Sequence, residues 1–444
     1  MKNNSLTARE NRRELRASAY RALWRWHFWS GLLIGPVVLI VSLTGALYVF
    51  KPELERLFLT ELMSVTPGPQ RASFEDLRAA LATTLPRHEL HFINVAADPS
   101  QAWEAFLERE LASGEHERLL AYYDPYARRL LGTRATDEGF FPVVLDLHRR
   151  LMAGLPGRLL VEFASCWAIL SVLSGLYLWW PRRKERVYGV WLPRVRANLR
   201  RLLRDWHTVP GMYLSLATLA ILVSGLLFTQ IWGIAYRAAN AVTGGFPDFY
   251  LSPPTSATDR PLPDRPPVDI DAAFAVASRT FDFEGRSFSI EIPHPDTRDA
   301  YQIVSDTRDA FTAKGVAFVD QYSGELLLHA GDADLPARTR FTLLFYPIHV
   351  GSIFGLPTKI LAVVCCLGLI ALTITGYWLW WRRRTPGTWG VPRKLHEDCT
   401  PNWLIGVTIL LSVLFPTVGL SFLLLGAGEW AAARMKGRKA HRLG

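Results

Sequence analysis

HRRLMAGLPGRLLVEFASCWAILSVLSGLYLWW, at residues 148–180, decides the fold, because the chain contains this stretch twice. The second copy, HVGSIFGLPTKILAVVCCLGLIALTITGYWLWW, occupies residues 349–381 and aligns with the first without a gap. In both copies a proline follows the leading histidine by 8 residues, a glycine by 27 and a Trp-Trp pair by 31 and 32. A match of this length predicts an internal duplication.

A shorter motif is repeated in the same way. Trp26-His27 opens one apolar run and Trp206-His207 opens another. In each run a glycine follows the histidine by 4 residues, and a Thr-Gly or Ser-Gly pair follows it by 17 and 18. The repeating unit is therefore a histidine, a span, a polar segment, a second histidine and a second span. This register singles out four histidines as candidate functional residues: His27, His207, His148 and His349.

Apolar residues are concentrated in blocks along the chain. Of its 444 residues 50% are hydrophobic, and five blocks reach the length of about 20 residues that a helix needs to cross a bilayer. The sequence therefore predicts a polytopic α-helical membrane protein with about five transmembrane helices, internally duplicated, and two extracytoplasmic α+β domains. The predicted segments are a basic cytoplasmic lead-in (1–23), a first span (24–50), a first outer domain (51–157), a second span (158–181), a basic cytoplasmic loop (182–205), a third span (206–232), a second outer domain (233–354), a fourth span (355–381), a cytoplasmic loop (382–400), a fifth span (401–427) and a basic tail (428–444).

Basic residues cluster beside the spans, whereas the two long polar segments hold most of the Asp and Glu residues. By the positive-inside rule the basic clusters face the cytoplasm and the long segments lie outside. The net charge of +10 is then a topology signal, and we do not expect nucleic-acid binding. The basic tail would lie outside as well, unless Pro416 breaks the fifth span into a hairpin. The path of the chain after Pro416 stays open at this point.

The two polar segments carry α+β patterns. Ser73 ahead of Phe-Glu-Asp-Leu predicts the capped start of a helix, and Ser252–Pro267 is a proline-rich linker. Neither segment contains a cysteine, so we expect both outer domains to fold without disulfides. Runs rich in β-forming residues predict strands or hairpins at four places: 91–95, 103–108, 119–132 and 316–327.

These motifs together resemble the PepSY-associated transmembrane family. The resemblance is carried by Asp-x-Tyr-x-x-x-Leu-Leu hairpins at Asp124 and Asp320, by spans that run from Trp-His to Thr/Ser-Gly, and by His-x₆-Leu-Pro segments that lead to a glycine and a Trp-Trp pair. That family includes iron-regulated inner-membrane proteins and siderophore reductases of the ferrioxamine type. The resemblance implies PepSY-like folds for both outer domains, a multi-pass location in the bacterial inner membrane with these domains in the periplasm, and an iron(III)-siderophore as partner.

The chain departs from the family pattern in its first copy. Ala127-Arg128 stands where the hairpin usually has Thr-Gly. Arg149-Arg150 stands where the second copy has Val350 and a glycine. We expect these departures to affect the contacts of the first outer domain rather than its fold.

Four histidines in register favour metal ligation, because ionisable residues in or beside a span are costly and usually functional, and imidazole is a common metal ligand. The repeating unit crosses the membrane an even number of times, so equivalent residues lie at equal depth. We therefore expect His27 and His207 to share the cytoplasmic leaflet, and His148 and His349 to share the outer leaflet. Each pair offers two axial ligands to one planar macrocycle, which predicts two bis-histidine haem b groups.

The leading hypothesis is a haem-dependent ferric-siderophore reductase. It would take electrons from a cytoplasmic or quinol donor, pass them across the membrane and release iron(II) for uptake. No side chain is predicted to be catalytic, because such chemistry belongs to the cofactor. Zinc is not favoured, since no Cys or carboxylate lies at ligand spacing in the spans. Two alternatives are a non-enzymatic PepSY membrane regulator that binds or inhibits a peptidase, and a transporter subunit.

Overall fold

The computed structural model describes most of the chain, with side chains from residue 13 onward. The described residues are 2–181, 187–257, 266–294, 297–305, 315–385, 387–388, 390, 392, 400–424 and 427. The predicted basic tail (428–444) lies outside them, as do half of the linker and parts of both cytoplasmic loops.

The described chain contains long apolar helices and shorter amphipathic ones. They are α1 (Lys2–Val49), α2 (Lys51–Phe58), α3 (Thr60–Met63), α4 (Phe74–Thr84), α5 (Phe140–Arg150), α6 (Gly154–Trp179), α7 (Leu199–Gly225), α8 (Ile231–Val242), α9 (Asp248–Leu251), α10 (Ile270–Ala277), α11 (Ala337–Leu343), α12 (Phe345–His349), α13 (Leu356–Arg383) and α14 (Asn402–Leu414).

Four of these helices are long and apolar enough to cross a membrane: α1, α6, α7 and α13. Helix α1 packs against α6 and α13, and α7 packs against the same two helices. Helices α1 and α7 therefore face each other diagonally across a four-helix bundle. Helix α1 is continuous from Lys2 to Val49, so the residues of the predicted lead-in and of the first span form one helix, which also accommodates Pro36.

The third predicted span (206–232) starts after the beginning of its helix and continues past the end of it. Helix α7 ends at Gly225, a short 3₁₀ turn follows, and α8 begins a new helix at Ile231. The backbone N–H groups of Ile231 and Trp232 donate to the carboxylate of Glu162, at 2.8 and 2.9 Å. Glu162 is fully buried on α6. Because a buried carboxylate satisfies the first N–H groups of α8, a new helix can start here, in an apolar run interrupted only by Thr229 and Gln230.

The fifth predicted span is a hairpin rather than one crossing helix. Helix α14 ends, the chain turns at Pro416, and residues 416–424 form a second short helix. Leu404 and Phe422, near opposite ends of this segment, both lie beside Trp26. The second helix therefore runs back along the first, which is the hairpin left open at Pro416. The described residues contain four helices of spanning length in addition to this hairpin.

Eight strands of the described residues form one antiparallel sheet in the order β4-β3-β2-β1-β5-β6-β7-β8. They are β1 (Glu89–Val95), β2 (Trp103–Glu110), β3 (His116–Asp124), β4 (Arg129–Ala135), β5 (Phe288–Glu291), β6 (Ala300–Ser305), β7 (Gly315–Asp320) and β8 (Leu326–Gly331). All four predicted strand and hairpin positions are confirmed. The sequence predicted two separately tethered outer domains, but their edge strands β1 and β5 pair, with Ile93 opposite Ile290.

Helices α4 and α10 contribute to one core that contains residues from both halves of the sheet. Each caps the other: Asp271 accepts the N–H groups of Phe74 and Glu75, both at 2.9 Å, and Glu75 accepts the N–H of Ile270 at 3.0 Å. The predicted cap at Ser73 is confirmed as well. Paired edge strands, a shared core and reciprocal caps make the two outer segments one folded unit.

Both hairpin aspartates organise their turns in the same way. Asp124 accepts backbone N–H groups from the residues two and three positions later, at 2.9 and 3.0 Å. Asp320 does so at 2.8 and 2.9 Å, and its second oxygen accepts the N–H of Ala257 at 2.8 Å. Arg128 has φ +54° at the position where the second copy has Gly324 with φ +74°. The first hairpin therefore keeps its shape although an arginine replaces the glycine.

Candidate functional site

The structure brings the four histidines together as two pairs. His27 and His207 have ring centroids 6.1 Å apart, and His148 and His349 have ring centroids 6.2 Å apart. The second pair lies at the membrane side that carries the sheet, and we call it the sheet-side pair. The first pair lies at the other ends of the spans, and we call it the far-side pair.

Each histidine of the two pairs is oriented by a backbone carbonyl of a neighbouring span. A carbonyl can only accept a hydrogen bond, so each Nδ1 must carry the proton, and each Nε2 keeps a free lone pair. The Nδ1 groups of His27, His148, His207 and His349 lie 2.9–3.0 Å from the carbonyl oxygens of Ser171, Val41, Leu372 and Ile221, respectively. All four side chains are thereby fixed in the tautomer that binds a metal through Nε2.

The repeated Ser/Thr-Gly pairs explain how the spans receive these rings. Each carbonyl acceptor stands three residues before the Ser or Thr of such a pair. At three sites the hydroxyl also lies 3.2–3.3 Å from Nδ1. The glycine that follows lies against the ring: a methyl group added there would be 2.5–3.4 Å from the histidine Cε1. The motif therefore supplies an acceptor and a gap, and an added methyl group would collide most severely at Gly225.

The spacing within each pair fits one metal ion between two imidazoles. Two metal–nitrogen bonds of about 2.0 Å each, on opposite sides of one ion, place the ring centroids roughly 6 Å apart. Among the described residues there is no group of three or more His, Cys, Asp or Glu side chains that could hold a metal ion. An ion bound here would thus have two protein ligands, and the planar macrocycle of haem supplies the four that remain. The residues present fit that group.

The sheet-side pair differs from the far-side pair in the helices that carry its histidines. His148 and His349 stand on the short helices α5 and α12 rather than within the long spans. Burial, and then the neighbouring His349, lower the pKa of His148 to about 4, so its ring is neutral at pH 7. The ring of Phe228 lies 5.7 Å from that of His349.

Three residues near the pairs were missed by sequence reasoning. Glu162 has a detectable signal, since a carboxylate within a span is unusual. Arg158 stands 10 residues after His148, as Lys359 stands 10 residues after its own histidine, and this repeat could have been found. Phe228 carries no signal, because nothing separates it from its apolar neighbours.

Comparison with protein families supports the duplicated architecture. A family model described as the PepSY-associated TM region matches residues 24–383, which covers both copies, all four histidines and the whole sheet. No curated protein matches the sequence. The chain belongs to the family of membrane proteins that share the PepSY-associated TM region.

Proposed function

We propose that the protein is a di-haem b reductase of the bacterial inner membrane. It would carry single electrons outward to an iron(III)-siderophore on the side of the sheet, in the periplasm, and so release iron(II) for uptake. The observation that carries this proposal is the pair of facing imidazoles at two levels, each pair spaced for one iron and each ring held with Nε2 free.

The chain's own residues would hold and separate the two groups. His27 and His207 project from α1 and α7, the diagonal helices of the bundle, so the far-side group would lie in the bundle core as cofactors of helical bundles do. Ser224, beside the sheet-side pair, lies 17 residues after His207 on α7, which corresponds to about 26 Å along the helix. Two sites at this separation place one redox group near each membrane face.

Bound haem would supply reversible one-electron chemistry between iron(II) and iron(III). The protein would set its axial ligation through the four histidines and exclude water with the apolar helices around them. The substrate is an iron(III) chelate with hard oxygen ligands. One electron converts it to iron(II), which oxygen donors hold less strongly.

A single-turnover experiment tests this function. Purified protein is reduced with dithionite, desalted without oxygen and mixed with iron(III)-desferrioxamine in the presence of an iron(II)-specific chromophore. We expect the haem bands to return to the oxidised spectrum while about two iron(II) ions form per chain. His207→Ala, which removes one ligand, is expected to halve that yield. Reduced protein that stays reduced in the presence of the chelate would contradict the reductase function.

A further inference from the structure

Two arginines flank the sheet-side pair. Arg149 directly follows His148 at the end of α5, and Arg158 lies in the first turns of α6. The two helices meet closely, because a methyl group added at Gly157 would collide with the backbone carbonyl of Arg150. Burial lowers the pKa of Arg149, and the positive charges of Arg158 and Arg150 lower it further.

Neither Arg149 nor Arg158 forms an ion pair with a carboxylate of the described residues. Arg150, one position further along, does: its guanidinium lies 2.5 Å from Asp146. Lys359, the counterpart of Arg158 in the second copy, is also paired, with Glu53. Two uncompensated positive charges close together at a membrane surface repel each other strongly. An anion bound between them would offset this repulsion.

Arg158 connects to the second histidine of the pair. Its Nη2 donates to the carbonyl oxygen of Phe228 at 3.1 Å, and the ring of Phe228 packs beside His349. The Nε of Arg158 is buried and has no hydrogen-bond partner among the described residues. Arg149 thus follows one histidine of the pair in sequence, and Arg158 bonds the residue that packs beside the other. The Nε–H of Arg158 is free for an acceptor.

We propose that Arg149 and Arg158 bind the carboxylate groups of the macrocycle held by His148 and His349. This inference rests on the proposed function. A guanidinium binds a carboxylate through two parallel hydrogen bonds, which suits the propionates at one edge of haem b. Burial of the Arg158 Nε favours a resident group over a ligand that arrives from solution. The second copy has Val350 where Arg149 stands, so the first copy alone provides this contact.

A redox titration of the purified full-length protein tests the inference. The wild-type chain should show two one-electron waves when the haem bands are followed against the applied potential. Arg149→Gln and Arg158→Gln should each shift one wave to lower potential, because a positive charge stabilises the reduced group. We expect a shift of about tenfold in the redox equilibrium, which is about 59 mV for one electron. Arg149→Lys keeps the positive charge, so the potential of its wave should lie close to the wild-type value.

Arg150→Gln is the matched control, since it removes one positive charge from the same helix but one that Asp146 already neutralises. A shift in one wave for both glutamine variants, much larger than in Arg150→Gln, supports the inference. Two waves that stay unmoved, with normal haem content, would overturn it and leave the proposed function intact. Unmoved waves with slower re-oxidation by iron(III)-citrate would assign the arginines to carboxylates of the substrate and also overturn it. A haem-free wild-type protein would overturn both proposals.

Discussion

The two copies of the repeat hold their sheet-side histidines with the same motif but with different clearances. A methyl group added at Gly45 of the first copy would lie 3.2 Å from His148, whereas one added at Gly225 of the second would lie 2.5 Å from His349. The copies differ further at the position 14 residues after the leading histidine, where the first has Glu162 and the second Val363. Duplication thus provided the paired ligands, and later changes made the two halves unequal around them.

We expect the largest effect at the far-side histidines, where the two copies have the same residue and should contribute equally to one site. His27→Ala and His207→Ala lie in different copies but belong to the same pair, so each should remove the same haem. We expect both variants to retain one haem per chain instead of two, measured by the pyridine haemochromogen spectrum. If His27→Ala lost the haem and His207→Ala kept it, the pairing between copies would be wrong.

Alanine substitutions at Gly45 and Gly225 test whether the space beside the histidine ring affects haem binding. Gly225→Ala must displace His349, because 2.5 Å is too short for any carbon–carbon contact. Gly45→Ala requires a movement of only a few tenths of an ångström. We expect Gly225→Ala to weaken binding of the sheet-side group by about 10- to 100-fold, as loss of ligand support does elsewhere, and Gly45→Ala to weaken it less. Haem retention during purification at limiting haem measures the difference, and equal losses would contradict the steric explanation.

Glu162 and Val363 test the difference between the second helices of the copies. Glu162→Ala leaves the first N–H groups of α8 without their acceptor in an apolar environment, which we expect to cost about 3 kcal/mol. Val363→Ala removes two methyl groups from a half-buried site and should cost about 1 kcal/mol. Thermal unfolding of both variants in the same detergent compares them. A smaller loss for Glu162→Ala would show that water satisfies the α8 amides.

The hairpin aspartates predict a smaller, pH-dependent difference. Burial raises the pKa of Asp320, but hydrogen bonds from the N–H groups of Ser323, Ala257 and Tyr322 outweigh burial, so its pKa is lowered overall. A carboxyl whose folded pKa is depressed stabilises the fold above its unfolded value, near 3.9, and loses that contribution as the pH falls through the folded value.

Asp320→Asn should therefore lower the melting temperature at pH 7 more than at pH 3, by an amount corresponding to about 1–2 kcal/mol at pH 7. Asp124→Asn is the matched change in the first copy, where the carboxylate accepts two amides instead of three, and its effect should be smaller. Thermal melts of the full chain between pH 3 and 7 measure both. If Asp320→Asn lowered the melting temperature equally at every pH, the charge of the carboxylate would not be the cause.

Local patterns in the sequence predicted much of this structure. The gap-free register of His148 with His349 identified the ligand candidates, and Asp124 and Asp320 marked both hairpins. Pairing of β1 with β5 was not predictable, because it joins segments almost 200 residues apart and depends on the tertiary fold. The end of α7 at Gly225 was missed for a similar reason: only Thr229 and Gln230 interrupt the apolar run, and the carboxylate that restarts the helix is far away in the sequence.

The haem content of the purified wild-type chain tests the central claim most directly. The pyridine haemochromogen assay gives the number of haem b groups per chain, and electron paramagnetic resonance of the oxidised protein gives their spin state. The two imidazole pairs predict two haem groups per chain, both low-spin and each with two histidine ligands from the protein. A folded protein that takes up no haem, or whose iron is high-spin, would contradict the account.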